Sequence, residues 1–294
     1  MIKRFLLCLI LSLPIFAWAN HSTPLVDEPQ VQDFIHMMVE KHGFSESYLE
    51  GLFQKTQIDP LVLQAMRKPY ESKPWDKYRE FFITPKRILD GARFWEAHAK
   101  TLERAEKEYQ VPQEIIVAII GVESNYGENK GKYPVFSTLA TLAFAYPARS
   151  KFFKSELAEY LLLTREQNVD PLSLYGSYAG ALGQPQFMPS SYRRYAIDFN
   201  GDGKKDLFNN DDDVIGSVAN YFHHHGWKDK EPTVIPARVT GIKYKILPFN
   251  RYQHYLNQQE LAKFGVYGNF GENSPNPTYV INMRSKKQSS LWIG

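Results

Sequence analysis

The segment from Val111 to Gly127, VPQEIIVAIIGVESNYG, constrains the fold more than any other stretch of the chain. Pro112 suits the first turn of a helix, and the apolar residues that follow it recur at helical spacing. Glu123 follows Ile116 and Ile120 by whole helical turns, so the spacing predicts a carboxylate on the apolar face. Burial and the negative end of the helix dipole would both raise the pKa of such a carboxyl.

The predicted helix makes Glu123 a candidate catalytic acid. A carboxyl group that stays protonated near neutral pH can act as a general acid. The alternative is that the helix ends here and Glu123 turns towards solvent, as most glutamates do. In the first interpretation, the acid would lie beside an inward stripe of isoleucines: Ile115, Ile116, Ile119 and Ile120.

The N-terminus has the pattern of a secretory signal peptide. Lys3 and Arg4 precede an apolar run that ends at Phe16, and Ala17-Trp18-Ala19 is a small-x-small cleavage pattern. The run is shorter than the ~20 residues that a membrane-spanning helix requires. We therefore expect residues 1–19 to be removed and the mature chain to be a soluble periplasmic protein with no integral membrane span.

Composition and charge exclude several classes of partner. Cys8 is the only cysteine and lies inside the expected signal peptide without a small residue before it, so we expect neither a lipid anchor nor a disulfide. Without Lys3 and Arg4 the formal net charge falls from +3 to +1, which is too small to indicate nucleic acid binding. The chain has 294 residues and is 43% hydrophobic, which is typical of a globular protein. We expect it to be a monomer.

Apolar residues also recur at helical spacing in the N-terminal third of the chain, which predicts helices there. Gly43 ends an amphipathic stretch from Val31 to His42, and Ser45 caps the next helix. Thr84-Pro85 opens a helix that we expect to continue unbroken to Tyr109. Its inward side would consist of apolar residues at helical spacing: Ile88, Ala92, Trp95, Ala99 and Leu102.

The pattern changes after Glu123. The stretch from Gly176 to Tyr192 has too many glycines and prolines for a long element and is too apolar for a solvated linker, so we expect an ordered loop beside Glu123. Helical spacing resumes from Gly216 to His225. Thr233–Val239 and Tyr244–Leu247 have the composition of short strands, which predicts a small β element after the helices.

The chain resembles the lytic murein transglycosylase B family, enzymes that cleave bacterial peptidoglycan, in four motifs: GVESNYG, GKYPVFSTLATLAFAYP, GSYAGALGQPQFMPSSY and DFNGDGKKDLFNNDDDVIGSVANYFHHHGW. The resemblance runs from Trp75 to Trp227 in order and weakens after that. It implies a mainly α (α+β) fold with a lysozyme-like catalytic core. The divisions would be a helical domain at 20–109, the core at 110–228, and a small β element with a helical or irregular segment at 229–294.

The resemblance implies cleavage of the β-1,4 bond between MurNAc and GlcNAc in glycan strands. Glycosidases usually use two carboxylates, but Glu128, the next acid, is most simply a surface charge. In the family's single-acid route, the MurNAc 6-hydroxyl attacks its own anomeric carbon and leaves a 1,6-anhydro end. Glu123 would act first as acid and then as base. A hydrolytic muramidase and a non-catalytic, calcium-stabilised protein that binds the cell wall stay open as alternatives.

The resemblance also implies which residues surround the acid. Ser177 would orient the carboxyl of Glu123 and, together with Gln186, hydrogen-bond the glycan. Tyr221 would contact the sugar or steady Glu123.

Three further residues are candidates for the rim of the glycan groove. By the resemblance, Arg149 would face the peptide or carboxylate parts of the strand. Tyr126 and Tyr178 would form walls of the groove. An ordinary core position explains each tyrosine equally well.

The segment DFNGDGK has the pattern of the first half of an EF-hand loop, with oxygen ligands at alternating positions and a glycine at position 6. Asn209 stands at position 12, where a bidentate glutamate belongs, and the resemblance offers Asp213 instead. We expect weakly bound, structural Ca²⁺ and no cofactor for catalysis; an acidic turn without metal is the alternative. The expected ligands are Asp198, Asn200, Asp202, the carbonyl of Lys204, and Asp213.

Overall fold

The structure, a computed structural model, describes residues 24–67, 73–229, 233–250, 255–269, 279–284 and 289–293. The signal peptide predicted for residues 1–19 lies outside these ranges. No helix within them is long and apolar enough to cross a membrane. The chain divides into two compact units, Met1–Gln57 and Ile58–Gly294.

The first unit contains two helices after a 3₁₀ turn at Leu25–Asp27: α1 (Pro29–His42) and α2 (Glu46–Gln54). As predicted, Gly43 ends α1 in the left-handed conformation, at φ 66°. Ser45 caps α2, because its hydroxyl oxygen accepts a hydrogen bond from the third residue of the helix. The core of the unit consists of fully buried side chains: Val31, Ile35, Met38, Leu49 and Phe53.

The second unit is mainly helical, as predicted. Its helices are α3 (Pro60–Arg67), α4 (Trp75–Phe82), α5 (Pro85–Ala97), α6 (Ala99–Tyr109), α7 (Gln113–Ser124), α8 (Val135–Ala145), α9 (Ser150–Glu166), α10 (Pro189–Tyr195), α11 (Asp211–His224) and α12 (Gln258–Lys263). Helix α7 packs against α5, α6 and α11. Helices α5 and α6 belong to the same compact unit as α7, and the two units divide after Gln57; the domain boundary predicted at residue 109 stays a prediction.

The helix predicted from Thr84 to Tyr109 is two helices. His98 has φ −114° and ψ 20°, which interrupts the helix between α5 and α6. The inward side of α5 also differs from the prediction: Gly91 and Phe94 are buried, whereas Ile88 is 62% exposed. Neither glycine nor proline marks the break, so the sequence contained no stop signal there.

The described strands form two small antiparallel sheets. In the first, β1 (Tyr133–Pro134) pairs with β2 (Tyr175–Gly176). The second has the order β4-β3-β6-β5 and consists of β3 (Ile235–Val239), β4 (Val266–Gly268), β5 (Val280–Arg284) and β6 (Ser289–Ile293). Strand β3 confirms the first predicted strand.

The second predicted strand, Tyr244–Leu247, is wrong. The chain forms a 3₁₀ turn at Lys243–Ile246 instead. Ile246 is 77% exposed, whereas Leu247 is buried and Tyr244, three residues earlier, packs against the same core. This spacing of three suits a 3₁₀ turn and not the alternation of a strand. The core of this β element consists of buried apolar residues: Leu247, Leu261, Val266, Val280 and Ile293.

A buried carboxylate holds α10 on α9. Glu156 on α9 is 4% exposed. It accepts hydrogen bonds from the backbone N–H of Ser190, at 3.0 Å, and from the Ser190 hydroxyl, at 2.7 Å. Because α10 directly follows the glycine-rich loop, this contact fixes the end of that loop.

We expect Glu156→Ala to lower the free energy of unfolding by about 1–3 kcal/mol, because the substitution leaves two partly buried donors of Ser190 without their acceptor. Glu166→Ala is the control: Glu166 forms an exposed ion pair with Arg193, and its loss should cost about 0.2–1 kcal/mol. Urea denaturation measures both. Equal effects of the two substitutions would contradict the structural role of Glu156.

Candidate active site

Helix α7 ends immediately after Glu123 in a sharp turn. Ser124 is its last residue, and Asn125 and Tyr126 are both left-handed, at φ 53° and 57°. The left-handed conformation is unfavourable for most L-residues and common only for glycine and, to a lesser extent, asparagine. Two such residues in succession turn the chain away from the helix axis, so Glu123 lies at a corner.

Two hydrogen bonds stabilise this corner. Arg87 on α5 donates from Nε to the side-chain oxygen of Asn125 at 3.0 Å. The hydroxyl oxygen of Ser124 accepts the N–H of Gly127 at 3.0 Å. Sequence reasoning missed Arg87, and no local signal could have found it, because it lies far from Asn125 along the chain.

The carboxylate of Glu123 is not on the buried face of α7, which corrects the sequence prediction. The residue is exposed in the structure. The predicted stripe was rotated: Val117 is buried and Ile119 only half-buried, so the buried face is centred nearer to Val117 and Ser124. Glu123 lies at the flank of this face, and the burial expected from its own helix is absent.

Tyr126 packs between two helices rather than forming a wall of a groove. Its hydroxyl oxygen lies 2.4 Å from the position that a Cβ atom would take on Gly91, and 2.4 Å from the corresponding position on Gly121. Its ring also contacts Phe94, with the ring centroids 5.4 Å apart. Burial is the main cause of the raised pKa of Tyr126. The absence of a side chain at Gly121 therefore serves the packing of this tyrosine between α5 and α7.

Tyr221 on α11 is within electrostatic range of Glu123. The pKa of the Tyr221 hydroxyl is raised, chiefly by burial and further by the ionised forms of Tyr195 and Glu123. The carboxylate is therefore close enough to Tyr221 to act on it electrostatically. Three rings surround the Tyr221 ring at centroid distances of 4.0 to 5.2 Å: Phe187, Tyr195 and His225.

The loop from Gly176 to Phe187 is ordered, as predicted, and packs against the segment that follows α7. The prediction extended the loop to Tyr192, but helix α10 begins at Pro189. A Cβ on Gly131 would lie 2.0 Å from the carbonyl group of Gly176, so the two backbones are in direct contact. Leu182 pairs with both Gly176 and Phe187 in isolated bridges. The loop thereby reaches from the β1–β2 sheet to the rings around Tyr221.

Ser177 and Gln186 both stabilise this loop. The hydroxyl oxygen of Ser177 accepts the backbone N–H groups of Ala179 and Ala181, at 3.2 and 3.0 Å. The amide nitrogen of Gln186 donates to the carbonyl oxygens of Gly183, at 2.8 Å, and Lys130, at 3.3 Å. The hydroxyl proton of Ser177 and the amide oxygen of Gln186 remain the groups suited to a ligand.

The structure places the other predicted residues as follows. Tyr178 is half-buried in the same loop as Ser177. Arg149 ends the 3₁₀ turn before α9 and is exposed, with its guanidinium 4.2 Å from the centroid of the Phe152 ring. Glu128 is 61% exposed and lies 3.2 Å from the ammonium of Lys86, which confirms that it is a surface charge.

Comparison with known proteins identifies the family. The model of the transglycosylase SLT domain matches residues 27–294. The chain belongs to this family. Membrane-bound lytic murein transglycosylase B of Escherichia coli is 44% identical over 235 residues, which cover 74% of this chain and 65% of that protein. The chain thus spans slightly less than two thirds of this relative.

Solved structures support the lysozyme-like fold of this SLT-domain protein. Soluble lytic transglycosylase SltB1 from Pseudomonas aeruginosa is 44% identical with a TM-score of 0.78, covering 90% of this chain and 89% of that one. Slt35 of Escherichia coli, solved in complex with calcium, is 38% identical with a TM-score of 0.79, covering 91% of this chain and 84% of that one.

The EF-hand-like loop of this SLT-domain protein is closed by its own hydrogen bonds. The carboxylate of Asp198 accepts the backbone N–H groups of Gly201, Asp202 and Gly203, at 2.7 to 3.1 Å. Asp198, Asn200 and Asp202 supply the oxygen donors that calcium prefers. In the described residues, however, no group of three or more His, Cys, Asp or Glu side chains is arranged to hold a metal ion.

Asp213 anchors this loop from inside, and its role as a calcium ligand stays a prediction. It is fully buried, and burial raises the pKa of its carboxyl group. Its oxygens accept the backbone N–H groups of Phe199 and Asp206, both at 2.8 Å, and of Asn200, at 3.4 Å. Asp213 therefore fixes the loop to the first turn of α11.

We expect Gly121→Ala to lower the free energy of unfolding by about 1–2 kcal/mol, because the new methyl group would overlap the Tyr126 hydroxyl and Gly91 prevents the ring from moving away. In a Tyr126→Ala background both the hydroxyl and the ring, whose Cζ would lie 2.6 Å from the new methyl group, are absent, so the same substitution should cost less. Urea denaturation of the four variants gives the difference. Equal losses in both backgrounds would show that Tyr126 does not fill the space at Gly121.

Proposed function

We propose that the protein cleaves the β-1,4 bond between MurNAc and GlcNAc in peptidoglycan glycan strands as a lytic transglycosylase. The position of Glu123 carries this proposal: an exposed acid in the last turn of α7, in a chain of the transglycosylase SLT domain family. Relatives named lytic transglycosylases support the reaction type. The surface position of Glu128 supports a mechanism with one acid rather than two.

In this mechanism Glu123 transfers a proton twice. Its carboxyl first protonates the glycosidic oxygen as the bond from that oxygen to the anomeric carbon of MurNAc breaks. The 6-hydroxyl of the same MurNAc then bonds to the anomeric carbon and gives its proton to the carboxylate. No water is consumed, Glu123 ends protonated, and the intramolecular attack gains from proximity.

Because Glu123 is exposed, we propose that the bound substrate itself favours the protonated form of the acid. An exposed carboxylate is solvated in the free protein. We propose that a bound glycan covers Glu123 and excludes water, which favours the neutral, proton-donating form of the acid. The sequence predicted a low-dielectric environment for Glu123 on the apolar face of its helix. In this proposal the bound glycan supplies that environment instead.

The neighbours of Glu123 would orient it and the glycan. The hydroxyl of Tyr221 is positioned to steady the carboxyl group, and Ser177 can donate its proton to the carboxyl or to a sugar oxygen. The amide oxygen of Gln186 can accept from a sugar hydroxyl. Arg149, and Tyr178 in the Ser177 loop, would contact more distant parts of the strand, Arg149 through its exposed charge.

We also propose that the protein acts in the periplasm after loss of residues 1–19, as a monomer on glycan strands. The apolar run and cleavage pattern at the N-terminus support export. Peptidoglycan lies outside the cytoplasmic membrane, so the proposed substrate requires this location.

Glu123→Gln should reduce the rate of sacculus lysis by several orders of magnitude, because both proton transfers are lost while the side chain keeps its shape. Turbidity loss of purified sacculi measures the rate. Glu128→Gln is the matched control, an acid in the turn after α7 that should retain wild-type activity. Retention of a tenth of the activity by Glu123→Gln, with an unchanged melting temperature, would remove Glu123 from this role.

We propose that Ca²⁺ binds weakly at Asp198, Asn200, Asp202, the carbonyl of Lys204 and Asp213 and stabilises the loop. The spacing of these residues and the calcium complex of Slt35 support this. Asn209 stands where a bidentate glutamate belongs, which is the reason to expect low affinity.

Millimolar Ca²⁺ should raise the melting temperature relative to chelator, because a ligand that binds only the folded state stabilises it by mass action. Asp202→Ala should abolish the difference without removing the Asp198 and Asp213 hydrogen bonds that close the loop. Differential scanning calorimetry measures both proteins. The same melting temperature in calcium and in chelator for the wild type would mean that the loop is an acidic turn without metal.

A further inference from the structure

The ring of His225 stacks on the ring of Tyr221. The two centroids are 4.0 Å apart and the planes meet at 25°, the closest and most parallel of the ring contacts that Tyr221 makes. Phe187 and Tyr195 contact the same ring in tilted and edge-on arrangements. His225 therefore covers a face of the Tyr221 ring.

A hydrogen bond fixes His225 in this position. Its Nδ1 lies 2.7 Å from the backbone carbonyl oxygen of Tyr221, so this nitrogen carries the proton and donates it. The backbone N–H of His225 also bonds to the last turn of α11. The residue is thus held at two points, and its ring has little freedom to leave Tyr221.

His225 differs from the other rings around Tyr221 in being exposed. Phe187 and Tyr195 are buried, at 7% and 9% exposure, and belong to the hydrophobic core. His225 lies on the surface at the end of α11. Its ring also contacts the ring of Tyr195, at a centroid distance of 5.0 Å, but it is not itself part of the buried core.

The two neighbouring histidines do not share this arrangement. His223 faces Tyr109, with Nδ1 3.1 Å from the Tyr109 carbonyl oxygen. His224 reaches the ring of Tyr195 at a centroid distance of 5.8 Å. The three consecutive histidines point in different directions, as successive helical side chains must, and only the third stacks on Tyr221 among the ring contacts of the described residues.

We propose that His225 is a positioning residue for the reaction: its ring holds the Tyr221 ring in the orientation that keeps the tyrosine hydroxyl beside Glu123. This inference rests on the proposed function, in which Glu123 transfers the proton. His225 touches neither the glycan nor the reacting atoms in this arrangement, and its effect passes through Tyr221. Without the His225 ring, the Tyr221 ring could rotate. The Tyr221 hydroxyl would then no longer steady the carboxyl group of Glu123.

Three substitutions separate the stack from the hydrogen bond. His225→Ala removes both, His225→Asn can keep a donor to the carbonyl but has no ring, and His225→Phe keeps a ring but has no donor. We expect His225→Ala and His225→Asn to lower kcat by about three- to tenfold with little change in KM, and His225→Phe to stay within about twofold of wild type. His224→Ala is the matched control and should behave as wild type.

A double-mutant cycle with Tyr221→Phe tests whether the effect passes through the tyrosine. If His225 acts by placing the Tyr221 hydroxyl, then His225→Ala should have no further effect on kcat in the Tyr221→Phe background. The same loss in both backgrounds, or a loss of activity in His225→Phe as large as in His225→Ala, would overturn the proposal. A fall in melting temperature that parallels the fall in kcat across the series would assign His225 a structural role instead.

The same assay distinguishes this proposal from the proposed function. Glu123→Gln is included in every series, with release of soluble muropeptides from sacculi as the readout. An active Glu123→Gln variant refutes the catalytic role of Glu123 whatever the His225 variants do. Loss of activity in Glu123→Gln together with full activity in His225→Ala refutes the positioning role alone.

Discussion

The two left-handed residues that end α7 are the constraint on which the rest of the site depends. Asn125 and Tyr126 turn the chain immediately after Glu123, so the acid stands at a corner instead of continuing along a helix. Each such residue costs on the order of 1–2 kcal/mol, so tertiary contacts must hold it in place. Arg87 supplies one contact through the Asn125 side chain, and the Tyr126 ring between two glycines supplies another.

Three distant parts of the sequence meet beyond that corner. The chain leaving it meets the glycine-rich loop, where Gly131 and Gly176 are in backbone contact. The loop in turn carries Phe187 to the ring of Tyr221 on α11. The buried carboxylate of Asp213 anchors the first turn of α11 to the acidic loop before it, so the position of Tyr221 depends on contacts at both ends of its helix. Rigid support of this kind suits a site with one acid, whose orientation must serve two proton transfers.

Much of this arrangement was predictable from local sequence, and the rest was not for physical reasons. The ends of α1 and α2 follow from Gly43 and Ser45, because glycine and serine have strong local preferences. The sequence also indicated the family and the ordered loop. Local sequence did not predict features that depend on long-range contacts. The buried face of α7 depends on which neighbours pack against it, and Glu123 is exposed. Tyr126, predicted as a groove wall, is a packing residue because two glycines lie opposite it, and one of them is on another helix.

In the proposed mechanism one acid suffices because the substrate supplies its own nucleophile, the MurNAc 6-hydroxyl. Digestion of purified sacculi in ¹⁸O-labelled water, followed by mass spectrometry of the released fragments, tests this directly. The mechanism predicts MurNAc ends that lack the mass of one water molecule and contain no ¹⁸O, since no water enters the reaction. MurNAc ends with a free reducing group that carries the label would contradict it, because they would show that water attacks the anomeric carbon and that the enzyme is a hydrolytic muramidase.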